Sequence, residues 1–378
     1  MIRPKHEVAE IIDRFSGCFI EKHRPNSYQL RVLGALSSCR TSALGGHKYQ
    51  CDHCKREHIS YNSCRNRHCP KCQGANQAFW IEDRMNSAYP AKHYHIVFTV
   101  PEALNTICLM DNKWFYNQLF SCVWDTLHSF GYSHYGVESG AICVLHTWGQ
   151  NLSLHPHIHC IVPGLGYTLK GDMKHIGKQG KYLYPVTQLS DKFRGKFMAG
   201  VKRQLISSGL LSEYKSSVEK AWRTPWVVFC EPSFGKPEHV VGYLGQYIHR
   251  VAISNHRIVE VTDHQVRFMI KDYRNEGHVT TTRLTGEEFL RRFCLHILPS
   301  GFVKIRYYGI YSTRFRTTIL KDNDKMIIKP EETTIERIAR VIGIDVHRCP
   351  WCKKGQLVAT SIIPRVRSPP SVVTPETN

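Results

Sequence analysis

Three groups of residues in this sequence have types and spacings that can do chemistry. His155-Pro156-His157-Ile158-His159 runs straight into the apolar Cys160-Ile161-Val162. In a strand, residues two apart share a face, so His155, His157 and His159 would project the same way. Imidazoles aligned like that offer two or three nitrogens to one divalent ion, a donor set that suits manganese and other transition metals. A solvated row of histidines is the plain alternative in a chain that has 22 of them, and His93-Tyr94-His95 repeats the spacing before another apolar run. Tyr243 and Tyr247 form the second group. Four residues apart, they share a face if their segment is helical. Tyrosines at that spacing more often pack in a core, but Gln246, His249 and Arg250 make these surroundings polar.

The third group is cysteine. Cys51-x-x-Cys54 and Cys69-x-x-Cys72 are separated by fourteen residues, and two such knuckles are expected to place four thiolates around one structural zinc with no open position. Cys64 and His68 lie inside the same stretch as alternative ligands, with packing or DNA contact as the plainer role. Arg65, Arg67 and Lys71 interleave with these residues and would give the module a phosphate-contacting face; an ordinary solvated basic surface is the competing reading. Cys349-Pro350-Trp351-Cys352 is half of a further knuckle without an obvious partner pair, and His347 is one extra donor near it. Scattered thiols such as Cys108, Cys143 and Cys230 sit among apolar residues and read as small core hydrophobes in a reducing compartment.

The charge balance points to a polyanion. Lys and Arg number 51 against 31 Asp and Glu, a formal +20, and each phosphate neutralised by such a surface releases condensed counterions. No basic amphipathic helix argues for an anionic membrane instead. There is no run of 18 apolar residues and no apolar leader after Met1-Ile2-Arg3-Pro4-Lys5, so a cytoplasmic location and no membrane partner are expected.

The elements that must position these groups follow from periodicity. Two helical patterns over 7–39 are separated by Pro25-Asn26-Ser27, with Ser27 as the expected cap. Residues 94–100 read as a strand before Pro101, and 102–130 as helix. A strand pair over 141–148 and 157–162 is joined by 149–154. Helices follow over 190–208 and 211–222, a strand over 226–230, and a helix over 237–249 with Pro237 at its first position. Alternation over 257–261, 265–270 and 279–284 suggests an antiparallel meander. Thr285 and Glu288 form a capping box for the helix that carries Arg291 and Arg292. The stretch from Pro364, with Ser368-Pro369-Pro370-Ser371, is compositionally disordered.

Taken in order, Phe98-Thr99-Val100-Pro101, the His-hydrophobic-His strand and the Tyr-x-x-x-Tyr helix followed by Arg250 resemble the three motifs of HUH endonucleases. With the cysteine module before them and Ile305-Arg306-Tyr307-Tyr308-Gly309 after, the stretch from Tyr49 to Arg316 looks like the two-tyrosine rolling-circle transposases of the bacterial insertion sequence ninety-one family. The resemblance implies an α+β fold: a central antiparallel sheet flanked by helices, with His157 and His159 on a middle strand and the tyrosine helix facing their metal. It implies Tyr243 and Tyr247 as nucleophiles, Mg or Mn as the catalytic ion, structural zinc, and single-stranded DNA at element ends plus target DNA as partners. Arg250 and Arg306 would contact that DNA. A homo-oligomer and nucleoid association are compatible with this reading. The third metal ligand stays open between His155, Gln246, and His146 or Gln150, in that order of preference.

The expected units are 1–48 helical, 49–88 zinc-binding, 89–256 catalytic, 257–355 a β-meander with a basic helical DNA-binding region, and 356–378 a disordered tail. Two other functions fit the same composition. One is a zinc-dependent DNA-binding regulator whose tyrosines stack on bases; the other is a hydrolytic metal nuclease that leaves no protein–DNA bond.

Overall fold

The computed structural model describes residues 4–86, 89–177, 183–231, 245, 250–272, 276–318 and 331–366. Strands in chain order are β1 (Gly46–Cys51), β2 (Glu57–Tyr61), β3 (His93–Thr99), β4 (Gly140–Trp148), β5 (Leu154–Pro163), β6 (Leu165–Tyr167) and β7 (Met173–His175). They continue as β8 (Val227–Glu231), β9 (Ile258–Val261), β10 (Gln265–Asp272), β11 (His278–Thr285), β12 (Ile305–Gly309) and β13 (Leu357–Ile363). The expected α+β architecture is what forms. Its centre is an antiparallel five-stranded sheet in the order β12-β4-β5-β3-β8, with β5 in the middle.

One face of this sheet is apolar and buries the main core. Ile96, Phe98, Cys143, Leu145, Ile158 and Cys160 pack beneath helices Asn112–Phe130 and Val186–Ser207, whose Phe115, Leu119, Phe193 and Phe197 point inward. Phe98 and Phe193 meet edge to face at 5.1 Å, a geometry aromatic quadrupoles favour. Cys108, Cys143 and Cys230 are buried in this core as small hydrophobes. On the opposite face Ile142, Val144 and Ile161 are covered by Trp80, from helix Gln73–Asn86, and by Ile305 and Tyr307. Trp80 Nε1 donates to the Tyr307 hydroxyl at 3.0 Å.

A second core joins segments far apart in sequence. Helices Val8–His23 and Ser27–Ser37 pack through Ile11, Phe15, Leu33 and Leu36 onto Val266 and Phe268 of β10 and onto Phe289 and Phe293 of helix Gly286–Leu295. Thus the N-terminal helices and the β9-β10-β11 meander are one body. Likewise β12, sequentially remote, closes the edge of the five-stranded sheet beside β4. The linear units expected from sequence are crossed by these packings, because apolar faces of short segments find partners by shape and not by chain order.

Three local expectations are corrected. Asn26, not Ser27, caps the second helix: its Oδ1 accepts from the Tyr28 and Gln29 backbone N–H groups while the Gln29 side chain returns to Asn26 N. The helix expected over 102–130 is broken at Asp111, whose carboxylate accepts from Trp114 N at 2.9 Å and starts a new helix. Thr285 caps its helix, accepting from Glu288 N, but Glu288 spends its carboxylate on Arg291 and Arg292 instead of closing a reciprocal box.

The stretch expected as a tail from 356 is a further correction. Residues 357–363 form β13, which pairs antiparallel with β1 from Cys51↔Leu357 to Gly46↔Ile363. β1 is therefore the middle strand of a three-stranded sheet, β13-β1-β2. Leu357-Val358-Ala359-Thr360-Ser361-Ile362-Ile363 carries the β-branched residues strands favour, but its mate at 46–51 lies some 300 residues earlier and no local signal names it.

Candidate functional site

Strand register builds the histidine cluster. His146 of β4 lies directly opposite His157 of β5, and Val144 opposite His159. Opposed residues in an antiparallel pair share a face, so His146, His157 and His159 all project from the face opposite the main core. One ring nitrogen from each comes within 4.8 Å of the others. The rings of His146 and His159 are 4.5 Å apart, and those of His157 and His159 4.9 Å. His146 stacks on Trp148 at 4.7 Å, and a bulge between His146 and Trp148 shifts the register at this end of the site before pairing resumes at Trp148↔Leu154.

Hydrogen bonds select which nitrogens are presented. His157 Nδ1 lies 2.7 Å from the His155 carbonyl; only an N–H can serve an oxygen acceptor, so Nε2 keeps its lone pair. His159 Nδ1 is engaged by His95 Nε2 at 2.9 Å, and the two rings are parallel, 5.2 Å apart, leaving Nε2 again. Ring N–H groups held by carbonyls or other side chains are how metal-ligating histidines are usually fixed in tautomer and orientation. Burial, with the nearby His155 ring adding to it, holds the His157 imidazole down to about 4. Burial likewise pushes His159 well below its ordinary range, helped by His157, His95 and the charges of Arg250 and Lys304. Both are neutral, ligand-ready imidazoles near pH 7.

The expected candidates for the third ligand sort plainly. His155 is exposed and stays outside the cluster; it lies on β5 at the bulge between the His146↔His157 and Trp148↔Leu154 pairs. Gln150 turns to the meander, where its carbonyl accepts from Arg257 and its Oε1 from Lys271 N. His146 is the residue brought together with His157 and His159. Gln246, Tyr243 and Tyr247, and the helix expected over 237–249, lie outside the described residues. Gly245 is described and buried: its carbonyl accepts from Gln77 Nε2 at 3.0 Å, and a side chain there would overlap Ile81. The second histidine pair, met in sequence as a mere repeat of the spacing, contributes His95 as the partner of His159. His93 is buried between the Ala91 carbonyl and the Tyr311 hydroxyl.

Cations gather beside the cluster. Arg67, His68, Trp148, Arg250, His296 and Lys304 line one small pocket. Lys304 Nζ donates to the Arg250 carbonyl at 2.9 Å and stands over the Trp148 ring; burial, with Arg67 nearby, lowers its ammonium to about 7. His68 Nε2 is buried with no hydrogen-bond partner. Sequence reasoning missed Lys304, whose only signal was its place just before Ile305. Arg67, expected to face phosphate, instead donates to the carbonyls of Leu298, Pro299 and Phe302. Lys71 pairs with Glu7 at 2.8 Å. Arg306 lies over the Phe120 ring at 4.1 Å and bonds Asn117, while Arg65 is exposed.

The cysteines expected around one ion are divided between two groups. Cys69 and Cys72 join Cys39 and Cys64, whereas Cys51 and Cys54 join Cys349 and Cys352. In the first group Cys39 and Cys72 sulfurs are 3.5 Å apart, and Cys64 and Cys72 3.7 Å. Backbone N–H groups of Cys64 and Asn66 point at the Cys39 and Cys64 sulfurs at 3.4 Å. His68 is not among these ligands, and Cys64 is. Cys-x-x-Cys spacing forms knuckles but does not say which two knuckles meet; folding of the first helices brings Cys39 to Cys69 and leaves Cys51 facing the other way.

No helix among the described residues is long and apolar enough to cross a membrane. Residues 11–100 match the family described as "Transposase zinc-binding domain", and 140–318 the one described as "Putative transposase". The chain is 39% identical over 396 residues to "Putative transposase y4qJ" of Sinorhizobium fredii (strain NBRC 101917 / NGR234), covering 98% of each. It is 26% identical over 293 residues to "Transposase for insertion sequence element IS801" of Pseudomonas savastanoi pv. phaseolicola, covering 76% of this chain and 71% of that one. No solved structure matches it. Two cysteine clusters of zinc-site composition, a histidine-bearing antiparallel sheet and near-full-length likeness to a transposase agree: the chain belongs to the insertion sequence ninety-one family of DNA transposases, with an N-terminal zinc-binding domain.

Proposed function

We propose that this transposase cuts and rejoins single-stranded DNA through a 5′-phosphotyrosine link, in rolling-circle movement of an insertion sequence. His146, His157 and His159 are the ligands of one divalent ion. Three neutral imidazoles favour manganese or a similar transition metal over magnesium, which prefers oxygen. Bound there, the ion supplies Lewis-acid polarisation of the scissile phosphate. Tyr243 or Tyr247 gives up its phenolic proton and attacks phosphorus; the P–O3′ bond breaks and the 3′ oxygen leaves as a hydroxyl. The phosphodiester energy is kept in the tyrosine ester, so a free 3′-OH can reverse the step without a nucleotide cofactor. Arg250 and Lys304 hold phosphate oxygens, a role supported by their lining one pocket with Trp148, which stacks on His146. Two nucleophiles let one chain, or a homo-oligomer, serve both ends of the element in the nucleoid-associated cytoplasm.

The observation that supports this reading most is the pairing of His146 with His157 on the polar face of a central sheet. Gly245, midway between the two tyrosines in sequence, rests on Gln77 and Ile81 of the helix whose Trp80 covers that same face. The test is a labelled single-stranded oligonucleotide carrying an element end, incubated with protein and Mn²⁺ and run on a denaturing gel. A covalent adduct that disappears in the Y243F/Y247F double variant is expected. Cleavage with free ends and no adduct would establish the hydrolytic nuclease instead, and binding without cleavage the regulator.

A further inference from the structure

We infer that Cys51, Cys54, Cys349 and Cys352 hold a second structural zinc ion, which ties the N-terminal module to a segment some 300 residues downstream. The zinc-binding domain matched by family ends at residue 100, so it cannot contain Cys349 or Cys352. This inference is independent of the strand-transfer reading.

The geometry is that of two facing knuckles. Sulfurs of Cys51 and Cys352 are 3.7 Å apart, as are those of Cys54 and Cys349. Four thiolates at about 2.3 Å from a tetrahedral zinc lie about 3.8 Å from one another along each edge, whereas a disulfide would bring two sulfurs to about 2.05 Å. The turns repeat each other's backbone. Lys55, directly after the first pair, has φ 60° and donates to the Cys51 carbonyl at 3.0 Å. Lys353, directly after the second, has φ 56° and donates to the Cys349 carbonyl at 3.1 Å. A non-glycine residue in this region is uncommon and strained; the same strain at both matching positions is what tight thiolate turns require.

Backbone N–H groups aim at the sulfurs from both sides, Cys54 N at Cys51 and Gly355 N at Cys352, each at 3.4 Å. Such donors stabilise thiolates rather than thiols. A side chain at position 355 would come within 2.6 Å of the Cys51 sulfur, so glycine permits the approach of the two turns. The β1–β13 ladder ends at Cys51↔Leu357, next to the cluster, so strand pairing and metal would close the same junction.

The full-length protein is loaded with zinc, excess metal is removed, and the ion freed when an organomercurial blocks thiols is counted with a colorimetric chelator. Two equivalents per chain are expected, falling to one in the C349S/C352S variant; one equivalent in the wild type, or two in the variant, overturns the inference. Histidine-bound metal is not released by thiol blockage, so failure at the catalytic centre reads differently. Should the serine variant not fold, C349H/C352H preserves a ligand set zinc accepts. In its cobalt-substituted form the thiolate charge-transfer absorption should drop by about a quarter, two sulfurs of eight, with stoichiometry unchanged; an undiminished band overturns the assignment.

Discussion

Replacing His95 with phenylalanine should weaken metal binding at the histidine cluster without touching any ligand. His95 is 5% exposed and His159 8%, and their ring nitrogens meet at 2.9 Å. Phenylalanine keeps a flat ring there and removes the Nε2 that meets His159 Nδ1, so that buried nitrogen loses its His95 partner. A buried polar group left unpaired costs about 1–3 kcal/mol, or about 5- to 150-fold in affinity at 1.4 kcal/mol per decade. Loss of a ligand's hydrogen-bonding partner elsewhere costs about 10- to 100-fold, in the same range. Glutamine can place an amide atom near the lost Nε2, so H95Q should recover most of the affinity. The assay is Mn²⁺ titration followed by electron paramagnetic resonance of the free ion, with melting curves to show that H95F is folded. Equal Mn²⁺ affinity in wild type and a folded H95F would refute the claim that His95 fixes His159 for an ion.

Other expectations follow from the same neighbourhood. H146A should abolish Mn²⁺-dependent nicking, whereas H155A should retain activity within roughly threefold; the reverse pattern would restore His155 as the ligand, read by initial rates on a labelled oligonucleotide. Lys304 is charged only below about 7, so affinity for single-stranded DNA should decline as pH rises through that value, and K304M should flatten the profile and lower the salt slope by about one. His93 and His296 are buried with imidazoles lowered to about 4 by desolvation. Since the unfolded chain takes up these protons near 6.5 and the folded one does not, stability is full above 6.5 and falls as pH drops towards 4. At pH 5 each contributes a loss of about 2 kcal/mol, and H296Q should show a smaller pH 7-to-5 shift in urea midpoint than the wild type.

What the sequence makes legible here is whatever is carried by local period. Alternation put His157 and His159 on one face of a strand, and the sheet that holds them has β5 at its centre as expected. His146 was only a lesser option, because its standing depends on which β4 residue faces His157, and a bulge before Trp148 sets that register. His155 obeys the same alternation but lies at the bulge, between the His146↔His157 and Trp148↔Leu154 pairs. His95 looked like a coincidence of spacing until β3 paired with β5, with Val97 beside His159. The cysteines fail for a related reason: each Cys-x-x-Cys turn is local, but the choice of mate is made by tertiary packing. Cys39, ending a helix with no companion in sequence, had no signal at all.

The position of β1 between β2 and β13 has a consequence for synthesis. At about 5–20 residues per second, roughly 300 residues of chain separate the emergence of β1 from that of β13 by about 15–60 s. During that interval one edge of β1 is unpaired, a template for wrong strand partners, and Cys51 and Cys54 wait with half a tetrahedron. A ribosome that stops short of Cys349 therefore releases a protein whose first sheet was never finished, even with all three site histidines already made.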